Sequence, residues 1–327
     1  MVSKNKILKA IPNILKTVNI PNLGEKHQGK VRDYYVLADE QSSRLRTKRI
    51  IITTDRQSAF DRVLGHIPYK GAVLNLLSAF WFDKTKDIID NHWVCNLYYN
   101  VIVVKNCQII PIEMVVRGYI TGVTDTSIWG SYEKGERVIY GIKFPDGLKK
   151  NQKLPSPVIT PTTKAESGHD ERLTEKEILE KKIVSKKLWT QMKKAAVELF
   201  ERGSKICDRA GIILADTKYE FGLFNGKLML IDEVHTPDSS RFWVKKSYKD
   251  RLKKGLEPES YDKEILRIWF KEKGYSGEGK PPKMPDDFLV KMSQRYIGIY
   301  EKITGKKFKT FDYPIEKRIR DSLKKIG

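Results

Sequence analysis

Cysteine is scarce in this sequence of 327 residues, which contains only Cys95, Cys107 and Cys207. The three residues lie far apart and form no CxxC pair. A disulfide framework is therefore excluded, and the count fits a reducing compartment. We expect the three thiols to be free and buried, since an unpaired cysteine packs as a small hydrophobic side chain.

The sequence also lacks a long hydrophobic run. Its longest apolar stretch, residues 98–116, is interrupted by Lys105, Asn106 and Glu113 and is unsuited to crossing a bilayer. Residues 1–18 contain several lysines and Pro12, but no uninterrupted apolar segment of the kind found in signal peptides. These features predict a cytoplasmic protein with no membrane partner.

Several signature motifs are absent. No Gly-Lys pair is followed by Ser or Thr, so a Walker A loop is missing, and no GxGxxG occurs. There is no HExxH, and the five histidines do not have a zinc-binding spacing. These absences disfavour the P-loop, dinucleotide-binding and zinc-hydrolase classes. No convincing Ser/His/Asp or Cys/His arrangement for nucleophilic catalysis is present either.

Negative charge is in deficit. The chain carries 62 Lys and Arg against 41 Asp and Glu, a net charge of +21 with a pI near 9.6. The cations are scattered, and neither an RNP1 motif nor a paired Cys/His finger is present, so we expect no nucleic-acid partner. Such a chain is suited to small polyanions, above all nucleotides and sugar phosphates. A basic nucleic-acid-binding protein stays the weaker alternative.

The element patterns predict an α+β fold. β-branched and aromatic runs indicate strands over 31–37, 49–55 and 100–106, and residues 74–89 have the pattern of an amphipathic helix. No regular βαβ alternation is visible, which disfavours a doubly wound sheet. We expect two lobes: a β-rich N-terminal lobe over 1–110 and a larger, mixed α/β lobe over 111–327.

The second lobe is predicted to be richer in helices. Two helical patterns occur within 172–210, where Ser185 is a plausible N-cap and Gly211 a plausible stop. The tail from residue 260 onward has a helix–loop–helix pattern, with the loop over 274–287.

The acids that the chain does have are concentrated in DTKYEFGLFNGKLMLIDEVHTPDSSR, residues 216–241. This segment contains Asp216, Glu220, Asp232, Glu233 and Asp238. Asn225-Gly226 separates two strand-like runs and predicts a two-residue hairpin. Simple register pairs Phe224 with Lys227, Lys218 with Glu233, and Asp216 with His235. Asp232 then points to the other face, unless a bulge near Gly222 shifts it.

Carboxylates at this density need a counter-charge. Lys218 and Arg241 supply part of it, and a divalent cation would supply more. Oxygen-rich sites suit Mg²⁺, which usually binds one or two carboxylates plus substrate phosphates. The alternative is a charged outer face with cross-strand ion pairs, each worth a few tenths to about 1 kcal/mol.

Four further segments combine cations, glycines and carboxylates. They are GEKHQGKVRDYYVL (24–37), TTDRQSAFDRVLG (53–65), EMVVRGYITG (113–122) and TPTTKAESGHD (160–170). In the first, Gly24 and Gly29 frame a turn, and Lys30 and Arg32 lie two apart on one face of the following strand, an arrangement that suits phosphate binding. Each segment alone is more typical of a structural loop. Together they predict a cleft for phosphorylated, carboxylated substrates.

In combination these segments resemble the phosphoribosylaminoimidazole-succinocarboxamide (SAICAR) synthase family. The matching strings are GKVRDYY, TTDRQSAFD, IPYKG, PIEMVVRGYITG, TTKAESGHD, DTKYEFG and LIDEVHTPDSSRFW, in order from residue 29 to 243, and YDKEILRIW extends them over 261–269. The resemblance implies a two-lobed, ATP-grasp-like fold with ATP and Mg²⁺ between the lobes. It also implies a reaction in which ATP, L-aspartate and a carboxyaminoimidazole ribonucleotide give the succinocarboxamide, ADP and phosphate. Another ATP-grasp-like ligase or a small-molecule kinase is the alternative.

The same resemblance implies roles for individual positions. Nucleotide contacts are Gly29, Lys30 and Arg32 as the phosphate loop, the stretch 104–113 ending at Glu113 against the adenine, and Glu220 and Asp232. Catalytic residues are Lys164, Asp170, Asp216 and Lys218. Substrate contacts are Ser58, Asp61, Arg117, Ser127, Asp238, Ser240, Arg241 and Arg267. Metal ligands are Asp216, Glu220, Asp232 and Glu233.

The sequence departs from the family pattern after Arg117-Gly118-Tyr119. The loop ITGVTDTSIWGSY is longer than in short bacterial members, and Val123 stands where some members have a phosphate-binding serine. Thr121 or Ser127 is expected to take over that contact. The lysine-rich stretch 147–153 and the tail beyond about residue 285 match no motif, and we predict surface and packing helix there.

Overall fold

The computed structural model describes residues 2–21, 23–37, 47–60, 62–123, 126–164 and 170–324. They form a mixed α+β fold, as predicted. The helices are α1 (Lys4–Ala10), α2 (Lys70–Thr85), α3 (Ile128–Glu133), α4 (Glu175–Glu180), α5 (Lys186–Arg209), α6 (Lys245–Lys253), α7 (Glu264–Glu272), α8 (Asp286–Thr304) and α9 (Glu316–Leu323). The strands are β1 (Lys26–Gln28), β2 (Arg32–Leu37), β3 (Lys48–Thr53), β4 (Arg56–Ala59), β5 (Arg62–His66), β6 (Trp93–Tyr98), β7 (Val101–Lys105), β8 (Gln108–Tyr119), β9 (Val138–Ile139), β10 (Ile142–Lys143), β11 (Lys153–Ile159), β12 (Thr162–Thr163), β13 (Ile212–Phe224), β14 (Lys227–Ile231) and β15 (Ser240–Val244).

The first large sheet is antiparallel and has the order β1-β2-β3-β7-β6. Its strands β2, β3 and β7 correspond to the three runs predicted at 31–37, 49–55 and 100–106, so these predictions are confirmed. Helix α2 packs against the sheet but spans Lys70–Thr85 rather than the predicted 74–89. Its first turn was missed because Lys70, a charged residue, is fully buried there.

The second large sheet has the order β11-β8-β13-β14, and β15 and β12 are attached to β13 and β8. Strand β13 pairs with β8 along one edge. On its other edge, β15 pairs with residues 212–217 and β14 with residues 220–224. The predicted boundary between residues 110 and 111 falls inside strand β8. The division into two domains stays a prediction.

Helix α5 packs on the rear of the second sheet, away from the charged residues described below. The predicted N-cap is confirmed, because Ser185 Oγ accepts a hydrogen bond from the Leu188 amide at 3.2 Å. Gly211, with a φ of 74°, follows the helix as predicted. The apolar face of α5, including Trp189, Met192 and Leu199, is buried in the main core.

Two helical glycines give a matched test of this packing. A Cβ at Gly203 in α5 would lie 2.3 Å from the buried His235 ring, whereas a Cβ at Gly298 in α8 would meet nothing within 4 Å. We expect Gly298→Ala to raise the free energy of unfolding by about 1 kcal/mol through helix propensity. Gly203→Ala should lower it by about 2 kcal/mol, because overpacking outweighs the same gain. Chemical denaturation of both variants checks this, and a stabilised Gly203→Ala protein would contradict the packing described.

The C-terminal tail forms the predicted helix–loop–helix as α7 and α8, followed by α9. Helix α8 packs against both α2 and α1. Hydrogen bonds from Ser293 Oγ to Pro68 O (2.8 Å) and from Gln294 Nε2 to Val2 O (3.3 Å) join it to the N-terminal half. The tail is therefore part of the main core rather than an appendage.

Two further expectations concern the whole chain. The three cysteines are free, and Cys107 and Cys207 are buried, whereas Cys95 is only partly buried. Within the ranges that the structure describes, no helix is both long and apolar enough to cross a membrane.

Candidate active site

A cleft of about 1020 Å³ is lined by strands of both large sheets. Most of the residues predicted for the site lie in its wall. They are Gly29, Lys30, Arg32, Ser58, Glu113, Arg117, Lys164, Asp170, Asp216, Lys218, Glu220, Asp232, Glu233, Asp238, Ser240, Arg241 and Arg267. Residues of all the separate segments therefore line one charged cleft.

The acidic hairpin begins as predicted, with Phe224 opposite Lys227 around Asn225-Gly226. The predicted register holds over the whole paired length of β14, but the pairing stops earlier than expected. Strand β14 ends at Ile231, opposite Glu220, so the expected pairs Lys218–Glu233 and Asp216–His235 do not form. A register shift does occur between Glu220 and Gly222, but in the pairing with β8.

The chain instead leaves the sheet at Asp232, which has a left-handed φ of 65°. Residues 232–239 cross the gap between β14 and β15, where the Lys218 amide donates to Ser239 O at 3.1 Å. This crossing brings Asp232, Glu233 and Asp238 to the open edge of β13, beside Lys218 and Glu220. The acids cluster because β14 and β15 pair with successive parts of the same edge of β13 and the segment between them carries the acids. Pairing within the hairpin does not bring them together.

One end of the cleft contains an Arg–Asp–Arg group across three strands. Asp216 on β13 is the register partner of both Arg117 on β8 and Arg241 on β15. Its Oδ2 accepts hydrogen bonds from Arg241 Nη1 at 2.5 Å and Arg117 Nη1 at 3.3 Å. Arg117 also donates to Thr160 Oγ1 and to the Thr126 carbonyl. Two guanidinium groups held in this way form a preorganised site for phosphate or carboxylate.

The centre of the cleft contains two lysines and two glutamates. Lys218 Nζ donates to Glu220 Oε1 at 3.0 Å and contacts Glu113, while Lys164 contacts the other oxygen of Glu220. Burial raises the pKa of Glu113, although Lys218 opposes this. Burial acts to lower the pKa of Lys218, but Glu220 and Glu113 outweigh it and the pKa is raised, so this lysine stays charged.

Arg32 holds the two acids that begin the crossing segment. Its guanidinium contacts Asp232 Oδ1 at 2.5 Å and Glu233 Oε2 at 2.7 Å. Among the described residues, no three His, Cys, Asp or Glu side chains are placed to hold a metal ion together. The four predicted metal ligands therefore do not form one centre. Asp216 is the clearest departure, since its carboxylate is held by the two arginines.

The predicted phosphate loop is the turn between β1 and β2. The Gly29 amide donates to Arg32 O at 2.8 Å and closes this turn. Behind it, the buried Arg56 donates to the carbonyl oxygens of Gly29 (3.0 Å) and Lys30 (3.1 Å) and is itself paired with Asp33 at 2.7 Å. The turn is thus fixed from the protein side, while Gly29 and Lys30 are exposed toward the cleft.

Two predicted substrate contacts are not found in the cleft. Ser127 is buried, and its Oγ accepts from the Gly130 amide at 3.1 Å as the N-cap of α3, so the expected phosphate contact is not supported. Its neighbour Thr126 lines the cleft instead. Thr121 is also buried and bonded to Asn151 Oδ1. Asp61 lies outside the described residues.

Some cleft residues were not predicted. Lys263 lies four residues before Arg267 near the start of α7, and both line the cleft, so helical spacing from Arg267 could have identified it. His92, a single histidine without a motif, lines the wall beside Arg32, and its burial lowers its pKa to about 3. No local sequence signal marks His92.

Lys263 gives a direct pH prediction. Burial lowers its pKa to about 8, against the opposing attraction of Asp238. The ammonium charge is therefore present below about pH 8 and lost above it, and anionic ligands should bind less tightly there. NMR of lysine-labelled protein, with the signal assigned through Lys263→Arg, should show a midpoint near 8. A midpoint above 10, as for an ordinary lysine, would contradict the burial described.

The fold and the cleft define an enzyme that handles small polyanions. Cations and carboxylates predominate among the described residues that line the cleft, as in enzymes that transfer phosphoryl groups by positioning and charge neutralisation.

Comparison with known proteins specifies the family. The family model described as SAICAR synthetase matches residues 25–283. The chain is 48% identical over 301 residues to the phosphoribosylaminoimidazole-succinocarboxamide synthase of Legionella pneumophila (strain Paris), covering 91% of this chain and 93% of the relative. It is 45% identical over 313 residues to the chloroplastic synthase of Arabidopsis thaliana, covering 95% of this chain and 73% of the relative. The SAICAR synthase of Saccharomyces cerevisiae, solved in complex with SAICAR, matches with a TM-score of 0.77 at 33% identity, covering 90% of this chain and 100% of that one.

The chain belongs to the SAICAR synthetase family. It is an ATP-dependent ligase of purine biosynthesis.

Proposed function

We propose that the cleft joins L-aspartate to the carboxylate of 5-amino-1-(5-phosphoribosyl)imidazole-4-carboxylate, giving SAICAR, ADP and phosphate. The observation that carries this proposal is the arrangement of charges along one cleft. A glycine turn and Arg32 lie at one side, the Lys164–Lys218–Glu113–Glu220 group lies at the centre, and the Arg117–Asp216–Arg241 group lies at the other end. The yeast relative solved with SAICAR supports the choice of substrate.

ATP would occupy the part of the cleft lined by the first sheet. The fixed turn at Gly29 and Lys30 presents backbone and cation to the phosphates. Val104, Ile109 and Glu113 line the adjoining wall and would contact the adenine side. In this proposal residues 1–110 cover the nucleotide and residues 111–327 carry the other substrates, as in a two-lobed, ATP-grasp-like enzyme.

The ribonucleotide would bind at the arginine end. Arg117, Arg241 and Arg267 all line that part of the cleft. The Asp216 carboxylate already orients two of these guanidinium groups and leaves the group with a net positive charge, so an incoming phosphate meets donors that need little reorganisation.

The chemistry needs an activated carboxylate. One oxygen of the imidazole carboxylate attacks the γ-phosphorus of ATP, the bond to the β–γ bridging oxygen breaks, and ADP leaves. The amine of L-aspartate then attacks the acyl carbon, and the tetrahedral intermediate expels phosphate as the nitrogen loses a proton. Lys164 and Lys218 would stabilise the charge that develops on the transferred group, while Glu113 and Glu220 hold these lysines in place.

Mg²⁺ fits part of the predicted ligand set. Glu220 lies opposite Ile231, the residue that precedes Asp232, and the two carboxylates are paired with Lys164 and Arg32, cations that substrate phosphates would also attract. Two carboxylates with substrate phosphates are a usual Mg²⁺ environment. Glu220 and Asp232 would hold the ion, which would neutralise phosphate charge when bound. Asp216 is left out of this set.

The test is ADP release by the purified protein with ATP, Mg²⁺, the ribonucleotide and L-aspartate, and with each omitted in turn. We expect ADP in equal amounts to SAICAR, and only background release when any component is missing. Sustained ADP formation without L-aspartate would indicate a small-molecule kinase and would contradict the ligase proposal.

A further inference from the structure

Helix α8 (Asp286–Thr304) lies outside the range 25–283 that the family model matches, yet one of its side chains reaches the wall of the cleft. Tyr296 is completely buried, and its hydroxyl donates to Asp238 Oδ1 at 2.7 Å. Asp238 lines the cleft, whereas Tyr296 does not. The prediction that the tail is only surface and packing helix is therefore incomplete.

Asp238 is held from a second side. Its other oxygen, Oδ2, accepts from Lys70 Nζ at 2.8 Å. Lys70 is fully buried at the start of α2 and also donates to Arg56 O at 3.0 Å. Side chains of α2 and α8 therefore fix the orientation in which the Asp238 carboxylate faces a ligand in the cleft.

The Tyr296 hydroxyl is committed to this carboxylate. It also lies 3.1 Å from Gln57 Oε1, but it has only one proton to donate. The shorter contact to a charged acceptor is the stronger one. The ring is also 5.8 Å from Lys70 Nζ, so Tyr296 contacts both members of the Lys70–Asp238 pair.

The Asp238 carboxylate is both buried and charged, so its orientation matters. The Asp238 side chain is only 5% exposed, so a misoriented carboxylate would be costly. Burial tends to raise the pKa of Asp238, but Lys70, Lys263 and Tyr296 together lower it to about 2. The group thus stays ionised at neutral pH, and the charge faces Lys263 in the cleft.

We propose that Tyr296 is a positioning residue of the active site, through which helix α8 fixes the Asp238 carboxylate in its working orientation. The proposal rests on the proposed function of the cleft. Tyr296 does not touch substrate, so its whole effect should pass through Asp238.

A double-mutant cycle tests this directly, with kcat and KM measured for all three substrates in the wild type, Tyr296→Phe, Asp238→Asn and the double variant. Loss of one charge-assisted hydrogen bond should lower kcat/KM by about 10-fold in Tyr296→Phe. The loss should fall on the same kinetic constant that Asp238→Asn changes most. If Tyr296 acts through Asp238, the double variant should be no worse than Asp238→Asn alone.

The matched control is Tyr248→Phe. Tyr248 is also buried and donates its hydroxyl to Asn151 O at 2.8 Å, but it does not line the cleft or contact a residue of the site. The Tyr248→Phe variant should have a lower free energy of unfolding but an unchanged kcat/KM.

The proposal would be overturned if the double variant lost kcat/KM by the product of the two single losses, or if Tyr296→Phe left kcat/KM unchanged. It would also be overturned if Tyr296→Phe failed to fold while Tyr248→Phe folded. The last would assign Tyr296 a structural role. Failure of the proposed function would be distinguishable, because the wild-type protein itself would then form no SAICAR.

Discussion

Replacing Lys218 by methionine is expected to lower kcat by about 10²–10³-fold while the protein stays folded. The ammonium group contacts Glu113 and Glu220 at the centre of the cleft, where the transferred phosphoryl group would lie. Phosphoryl transfer depends mostly on position and charge neutralisation, so losing one aligned cation should affect turnover directly. Methionine keeps the apolar stem, and burial already raises the pKa of Glu113, so this carboxyl can take up a proton when its partner is lost.

The comparison protein is Lys150→Met. Lys150 has almost the same side-chain exposure as Lys218, 31% against 30%, and it is also paired with a glutamate, Glu257. It does not line the cleft and should retain kcat within about twofold, as for most surface substitutions. Steady-state ADP release and thermal unfolding of both variants decide the matter. Normal turnover in a folded Lys218→Met protein would remove Lys218 from the mechanism.

Arg241→Met should raise the KM for the ribonucleotide by about 10- to 100-fold, with little change in the KM for ATP. The guanidinium donates to Asp216 at 2.5 Å and lines the end of the cleft assigned to the sugar phosphate. A charge-assisted hydrogen bond contributes about 1.5–3 kcal/mol, which corresponds to this range. Asp216 keeps Arg117 as a partner, so the buried carboxylate is not left unpaired.

Arg251→Met is the matched control for this variant. Arg251 is a partly exposed arginine on α6 that contacts Glu259 at 3.8 Å, away from the cleft. Its loss should change neither KM. If Arg241→Met instead raised the KM for ATP and left the KM for the ribonucleotide unchanged, the assignment of ATP and the ribonucleotide to the two ends of the cleft would be wrong.

Much of the local structure could be predicted from short patterns. Asn225-Gly226 has left-handed φ values of 51° and 74°, which is why this dipeptide specifies the hairpin turn. Ser185 caps α5 because its hydroxyl satisfies a helix-end amide, an interaction within four residues. Alternation along β13 predicts Asp216, Lys218 and Glu220 on one face, because side chains of a strand alternate, and all three line the cleft.

The long-range features could not be predicted in this way. The position of Asp232 depends on β14 ending at Ile231 and on β15 taking over the edge of β13, and no local signal encodes that exchange. Lys70 is charged yet fully buried, because Asp238, 168 positions away, compensates it. Tyr296 has the helical spacing of a core residue, and only the tertiary structure shows its hydroxyl against Asp238.

In the proposed reaction, this cleft activates a carboxylate by phosphorylation before the amine attacks. The most direct measurement uses the ribonucleotide with ¹⁸O in its imidazole carboxylate and follows the label during SAICAR formation. We expect one labelled oxygen in each phosphate released and none in ADP, because the carboxylate oxygen leaves with the phosphoryl group. Unlabelled phosphate accompanying labelled SAICAR at every turnover would contradict it.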